Sequence, residues 1–175
     1  MSVASGKLMV LVGSEFACVK ISGRANFTLS IDFQSLVNEL QKNGYSYVVM
    51  ELSECLLMDS TFLGMLTGFA LKMGAPNGSS APRVVELRNP NPRISELLEN
   101  LGVLHLFRIS HGELSTAECT IESMPDVPRP NQEQLTRACL EAHQTLMSLS
   151  AENAARFKDV SQFLTEELKK HKGAA

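Results

Sequence analysis

The sequence lacks the charge pattern of a nucleic-acid-binding protein. Its 175 residues include 16 Lys and Arg against 19 Asp and Glu, a formal net charge of −3. Aromatic residues make up only 6% of the chain, and no run of basic residues is interleaved with them. Nucleic acids and anionic membranes attract proteins mainly through clustered Lys and Arg, so neither is expected as a partner.

Long apolar runs are also missing. No stretch approaches the ~20 apolar residues that a helix needs to cross a bilayer, so direct insertion into a membrane is not expected. The first residues, MSVASGKLMVLVGSE, contain one Lys and a short alternating run rather than the longer apolar core of a signal peptide. These two absences predict a cytoplasmic protein.

The sequence contains no motif for a metal ion, a cofactor or a catalytic centre. The cysteines form no CxxC pair and have no histidine at ligand spacing, so reduced thiols without a metal are expected. There is no G-x-S-x-G elbow, no P-loop and no G-x-G-x-x-G, and we expect neither a cofactor nor enzyme activity. The four cysteines are Cys18, Cys55, Cys119 and Cys139. The four histidines, interpreted as surface or structural residues, are His105, His111, His143 and His171.

Hydrophobic periodicity predicts alternating strands and helices over residues 1–110. The predicted order is ββαβαβαβ, a small α/β domain with a mixed sheet and helices packed on it. Strands are predicted at 7–12, 16–21, 45–52, 83–87 and 105–109. Helices are predicted from residue 30 to Gly44, after the LLMDST segment, and from Asn91 to Gly102.

The rest of the chain is predicted to extend this domain. Residues 111–130 end in a proline-rich stretch and read as a linker or a draped segment, which leaves open a short strand or a helical turn within it. Residues 131–172 contain neither Gly nor Pro. Apolar residues recur there about every 3.7 positions, the pattern of a long amphipathic helix. At 1.5 Å per residue it would be about 60 Å long. Either it breaks near residues 148–153 and folds back, or its free part binds a partner, for example a second copy in a homodimer.

One junction between a predicted strand and a predicted helix has an unusual composition. The stretch LLMDSTFLGMLTGFALKM, residues 56–73, places Asp59, Ser60 and Thr61 there with almost no loop around them. Asp and Ser are favoured at the start of a helix for structural reasons alone. The same position also tolerates a phosphate, because the first backbone N–H groups of a helix have no partner within it. The residues by themselves thus allow either a cap or a phosphorylation site.

The segment MELSECLLMDSTFLGMLTGF resembles the signature of anti-sigma factor antagonists and the wider STAS family, D-L-S-x-V-x-F-M-D-S-S-G-L-G-x-L after a strand. The later segment VVELRNPNPRISELLENLGVLHLFRI resembles the second half of that family, so the resemblance covers about residues 6–110. It implies that Ser60 is the phosphoacceptor and that Thr61 is a second hydroxyl open to modification. The residues that it implies for partner binding are Asp59, Thr61, Phe62, Leu63 and Gly64. Phe62 stands where the family usually has Gly, and the sequence leaves open whether it covers the core or is an exposed contact residue.

The resemblance also implies a function, regulation of transcription through a bacterial partner-switching pathway. The unphosphorylated protein would bind an anti-sigma factor that is itself a serine kinase, and so free the sigma factor. Phosphorylation of Ser60 would release the protein, and a serine phosphatase would restore it. The alternative is a STAS subunit that is never phosphorylated and serves as an accessory subunit or scaffold of a transporter or another complex.

Overall fold

One mixed sheet organises the chain. The computed structural model describes residues 5–75, 82–126 and 128–173, and the strand order within them is β5-β4-β3-β2-β1-β6. The strands are β1 (Lys7–Val12), β2 (Ala17–Ala25), β3 (Tyr47–Met58), β4 (Val84–Arg88), β5 (Arg108–Ser110) and β6 (Thr120–Glu122). The helices are α1 (Phe27–Lys42), α2 (Ser60–Gly74), α3 (Pro92–Asn100), α4 (Gln132–Met147) and α5 (Ala151–Gly173), with a 3-10 turn at Leu104–Leu106. Strands β2 to β5 pair in parallel, whereas β1 is antiparallel to both of its neighbours.

The predicted α/β fold with a mixed sheet, packed helices and a long C-terminal helix is confirmed. Strands β2, β3 and β5 differ in extent from the predicted strands, and β2 ends at Ala25 instead of residue 21. Strand β3 continues to Met58, past exposed Ser53 and Glu54 that interrupt the apolar pattern. The predicted strand 105–109 is partly the 3-10 turn, and only Arg108–Ser110 pairs with β4. Strand β6, within the segment read as a linker, pairs with β1 through its backbone while all three of its residues are exposed, so it has no apolar signal.

The core lies between the sheet and helices α1 and α2. Alternate residues of the strands, such as Val19 and Met50, point into it together with Phe33 of α1 and Phe62 of α2. The Phe33 and Phe62 rings lie 4.8 Å apart, centroid to centroid, in a tilted arrangement. Phe62 has no exposed surface. The aromatic residue that replaces the family's usual glycine therefore fills the core in this structure.

The C-terminal segment folds back as a helical hairpin made of α4 and α5. The helix breaks at residues 148–150, the first of the two alternatives that the sequence left open. Asn153, the one polar residue in the apolar stripe, is buried at the break. Its side-chain nitrogen donates to the carbonyl oxygens of Leu101 (2.9 Å) and Leu146 (3.1 Å), which ties the start of α5 to the ends of α3 and α4. Association of two copies through this segment stays a prediction.

Among the helices of residues 5–75, 82–126 and 128–173, none combines the length and the apolar character that a membrane span requires. Over the same residues, no group of three or more His, Cys, Asp or Glu side chains is placed to hold a metal ion.

Removing the Phe62 ring should destabilise the whole domain. We expect Phe62→Ala to lower the free energy of unfolding by about 3–5 kcal/mol, because it leaves a cavity against Phe33. Phe163 of α5 is 59% exposed, and Phe163→Ala should change stability by less than about 0.5 kcal/mol. Urea denaturation followed by circular dichroism measures both. Similar losses for the two variants would contradict this placement of the core.

Candidate functional site

The first turn of α2 is fixed by the carboxylate of Asp59. One of its oxygens, Oδ1, accepts a hydrogen bond from the backbone N–H of Phe62 at 2.8 Å and so caps α2. The other, Oδ2, accepts from the backbone N–H of Phe27, the first residue of α1, also at 2.8 Å. The backbone N–H of Asp59 itself donates to the carbonyl of Ala25 at the end of β2. One residue thus joins the amino-terminal ends of two helices, where a negative charge is favourable.

Ser60 is the first residue of α2, and its hydroxyl is engaged by the C-terminal hairpin. Its Oγ lies 2.8 Å from Nε2 of His143 in α4, and the other ring nitrogen, Nδ1, lies 2.7 Å from the carbonyl oxygen of Cys139. A carbonyl can only accept, so Nδ1 carries a proton. In the neutral imidazole Nε2 is then an acceptor, and the Ser60 hydroxyl donates to it. The His143 ring is 4% exposed and packs edge-on against Phe157 at 5.3 Å between ring centroids.

The next turns of α2 are covered by α4. The Thr61 hydroxyl donates to Sγ of Cys139 at 3.5 Å. Gly64 lies against the backbone of α4, where a Cβ atom would clash with the carbonyl oxygen of Ala142. One turn later the distance between the two helices is larger. A Cβ atom on Gly68 would have its nearest neighbour at 3.8 Å, on Thr145. The absence of a side chain at Gly64 is what allows the two helices to approach so closely.

The residues that the resemblance implied lie together in the structure, and other parts of the chain cover most of them. Asp59 and Ser60 are half-buried, and the side chain of Phe62 points into the core. Thr61, Leu63 and Gly64 are buried at the first turns of α2. The surface predicted for partner binding is therefore occupied by the chain's own helix α4 in this structure.

Sequence reasoning missed the residues of α4 that meet this site. His143 is 83 positions from Ser60, and it belongs to no motif that could have linked the two. It was interpreted as surface or structural, and it is structural in the sense that it is buried and hydrogen-bonded. The one available signal was the run of small residues on the tail helix, Ala138, Cys139 and Ala142, which permits a close helix crossing.

A cavity of about 290 Å³ opens beside the Ser60 hydroxyl. Its one cationic group is the guanidinium of Arg156 in α5, which donates to Glu152 at 3.0 Å and to the carbonyl oxygen of Asn100 at 3.3 Å. The lining is otherwise largely apolar and consists of Met58, Ser60, Leu63, Leu97, Asn100, Leu101, Arg156 and Phe157. Ser60 and Arg156 therefore line the same space, although the Arg156 guanidinium is paired with Glu152.

Comparison with solved structures concerns the fold. An anti-sigma factor antagonist from Mycobacterium paratuberculosis matches with a TM-score of 0.52 at 15% sequence identity, covering 61% of this chain and 86% of that one. This chain has the fold of an anti-sigma factor antagonist. Unphosphorylated SpoIIAA, an anti-sigma factor antagonist, matches with a TM-score of 0.48, and phosphorylated SpoIIAA, a Bacillus cell fate determinant, with 0.46. Each is 15% identical over 60% of this chain, and they are covered to 87% and 90% of their own lengths.

The likeness is one of structure. No protein-family model matches the sequence, and no curated protein matches it. About two fifths of this chain lies outside the match to the Mycobacterium antagonist. The STAS fold is therefore accompanied here by additional chain.

The double role of Asp59 predicts a larger loss of stability than an ordinary cap gives. Asp59→Ala leaves two backbone N–H groups without an acceptor and should cost about 2 kcal/mol or more, twice the ~1 kcal/mol typical of one cap. Asn131 caps α4 alone and is the matched control, with Asn131→Ala expected to cost about 1 kcal/mol. Thermal or urea unfolding compares the two variants. Equal losses would show that the hydrogen bond to Phe27 contributes nothing.

Proposed function

We propose that this protein is a regulator of the anti-sigma factor antagonist type, which binds an anti-sigma factor with serine kinase activity while Ser60 is unphosphorylated. The position of Ser60 carries the proposal. It is the first residue of α2, directly after the capping Asp59 at the end of β3, in a chain with the STAS fold. Phosphorylation releases the protein from the kinase, and a serine phosphatase returns it to the binding state.

The chemistry at Ser60 is a simple phosphoryl transfer. The kinase moves the γ-phosphoryl group of ATP to Oγ, ADP leaves, and the hydroxyl proton passes to a base of the kinase. The product carries about −1.5 to −2 charges at neutral pH. The folded protein tolerates them, because the start of α2 is positive and Arg156 lines the same cavity. A partner packed over this turn would instead bury a charge without a counter-ion, which costs several kcal/mol and breaks the complex.

The proposal assigns no catalysis to this chain. Ser60 and His143 lie at a distance that a nucleophile and a base could share, and the imidazole is oriented by the carbonyl of Cys139. A hydrolase also needs the serine open to substrate, with donors aimed at the developing oxyanion. Here the hydroxyl lies under α4, and the imidazole is 4% exposed. These features support a structural hydrogen bond.

Phosphorylation should occur at Ser60 alone. With its kinase and ATP, the protein should gain one phosphate that is absent in Ser60→Ala and unchanged in Thr61→Val, since Thr61 is 5% exposed. Intact-protein and peptide mass spectrometry measure this. The proposal fails if Ser60 is bare in protein isolated from cells in every growth state tested, or if Ser60→Ala still accepts phosphate.

One observation favours a second function: α4 covers the first turns of α2. A STAS subunit that serves as a constitutive scaffold needs no free surface at Ser60, and here Thr61 and Gly64 are buried under α4. The two functions differ in their response to charge at Ser60. A scaffold should co-purify with the same membrane or cytoplasmic complex as wild type, Ser60→Ala or Ser60→Asp. A partner switch should lose its partner in Ser60→Asp.

A further inference from the structure

We propose that helix α4 is a tethered competitor for the Ser60 face of α2, so that a partner reaches this face only by displacing the α4–α5 hairpin. We define that face by Ser60, Thr61, Gly64 and Gly68. The identity of the partner as a kinase rests on the proposed function above. The displacement itself concerns only this chain.

The contact between α2 and α4 consists of interactions that can be broken without leaving buried groups unsatisfied. Two of its interactions are hydrogen bonds between side chains, Ser60 with His143 and Thr61 with Cys139. Such groups can exchange their partner for water, so opening the contact does not leave them unsatisfied. The cost of opening is therefore mainly the apolar area that the hairpin covers, together with the hydrogen bonds from Asn153 to Leu101 and from Arg156 to Asn100 that join α5 to the end of α3.

The core of the domain depends little on the hairpin. Among the described residues, the fully buried core cluster runs through the sheet and helices α1 to α3, and the hairpin adds only Ala142 and Leu146 to it. Ala138 and Phe157 pack against the cluster from outside and are partly buried. The ring of Phe62 is held by Phe33, which lies in α1. Removal of the hairpin from α2 thus leaves the STAS core in place, which is what a displaceable cover requires.

The way in which α4 packs on α2 also indicates the kind of partner that could bind in its place. Opposite Gly64, α4 presents the backbone of Ala142. Opposite Ser60 it presents Nε2 of His143, which accepts a hydrogen bond from the hydroxyl. A competing protein must offer the same two features, a small residue at the crossing point and a hydrogen-bond acceptor one turn away. We infer a partner that docks an amphipathic helix in the place of α4.

Two glycines of α2 provide a matched pair of variants for opening the contact. Gly64→Ala places a methyl group against the backbone of Ala142, whereas Gly68→Ala meets only an ordinary contact at 3.8 Å. Both replace a helical glycine by alanine, so they share the same gain in helix propensity. Any difference between them reports the fit of α4 against α2. Far-UV circular dichroism confirms that both variants are folded.

Cys139 is a native reporter of this contact. Its thiol faces Thr61 across the interface, while Cys119 lies away from it and provides an internal reference. Burial raises the pKa of Cys18 and of Cys55 to about 11, so these two thiols stay protonated and unreactive at pH 8. Alkylation by iodoacetamide, quantified by peptide mass spectrometry, gives the rate at Cys139 relative to Cys119.

The expected result is a faster reaction of Cys139 in Gly64→Ala only. Overpacking of this size shifts the opening equilibrium by about tenfold or more. Cys139 is half-buried in the closed form, so its relative alkylation rate should rise clearly, by up to this factor. Gly68→Ala should react like the wild type. The proposal is overturned if the two variants react alike, or if Cys139 in Gly64→Ala reacts no faster than in the wild type.

A disulfide can hold the hairpin closed. Thr61→Cys places a second thiol beside Cys139, since the native Thr61 oxygen lies 3.5 Å from Sγ. Oxidised glutathione takes two electrons and two protons from the pair and forms the bond, which dithiothreitol reverses. Kinase binding and phosphate uptake are compared between the two redox forms of this one variant, and the oxidised form should lose at least about 90% of the level that the reduced form reaches, a tenfold change.

The outcomes separate this inference from the proposed function. Equal kinase binding by the oxidised and reduced forms would overturn competition by α4. Failure of the disulfide to form in folded protein would contradict the contact between α2 and α4. If the wild type does not bind the kinase, the proposed function fails. The rates at Cys139 would then still decide whether the hairpin opens.

Discussion

The carboxylate of Asp59 is the interaction on which the rest of the site depends. It accepts from the first turn of α2 and from the first residue of α1, so both helices begin at one point above the carboxyl end of the parallel strands. This geometry directs Ser60 away from the core while the next residue but one, Phe62, enters it. A hydroxyl at this turn is therefore held rigidly at the edge of the core, close to two positive helix ends.

The C-terminal hairpin changes what that rigid turn can do. The hydroxyl of the turn donates to a buried imidazole, and a glycine of the next turn lies against a helix backbone. Under the proposed function, the apparent affinity of a partner depends on its intrinsic affinity and on the free energy needed to move the hairpin, because a binding-competent state of low population weakens apparent affinity in proportion.

The position of the site could be predicted from the sequence, but its environment could not. Asp59 and Ser60 lie between a strand and a helix whose periodicities are both clear, so the local geometry follows from short-range rules. The sequence did not decide whether Phe62 covers the core or contacts a partner, and in the structure its ring packs against Phe33 of α1. His143 could not have been linked to Ser60, since a contact across 83 residues leaves no local pattern. A short strand within residues 111–130 was one of two alternatives, and the sequence could not choose β6 because the three residues of this strand are exposed and pair through the backbone.

The sequence by itself determined the order of strands and helices, the break of the C-terminal helix as one of two alternatives, and the serine at the helix start. These properties depend on neighbouring residues, whose spacing and propensities are readable along the chain. Only the tertiary structure decided that the hairpin lies on α2 and that Asn153 anchors it through the carbonyls of Leu101 and Leu146. It was also the structure that placed an imidazole on the serine. Helix packing is chosen by the fit of two surfaces distant in sequence, and that fit becomes visible only once the chain has folded.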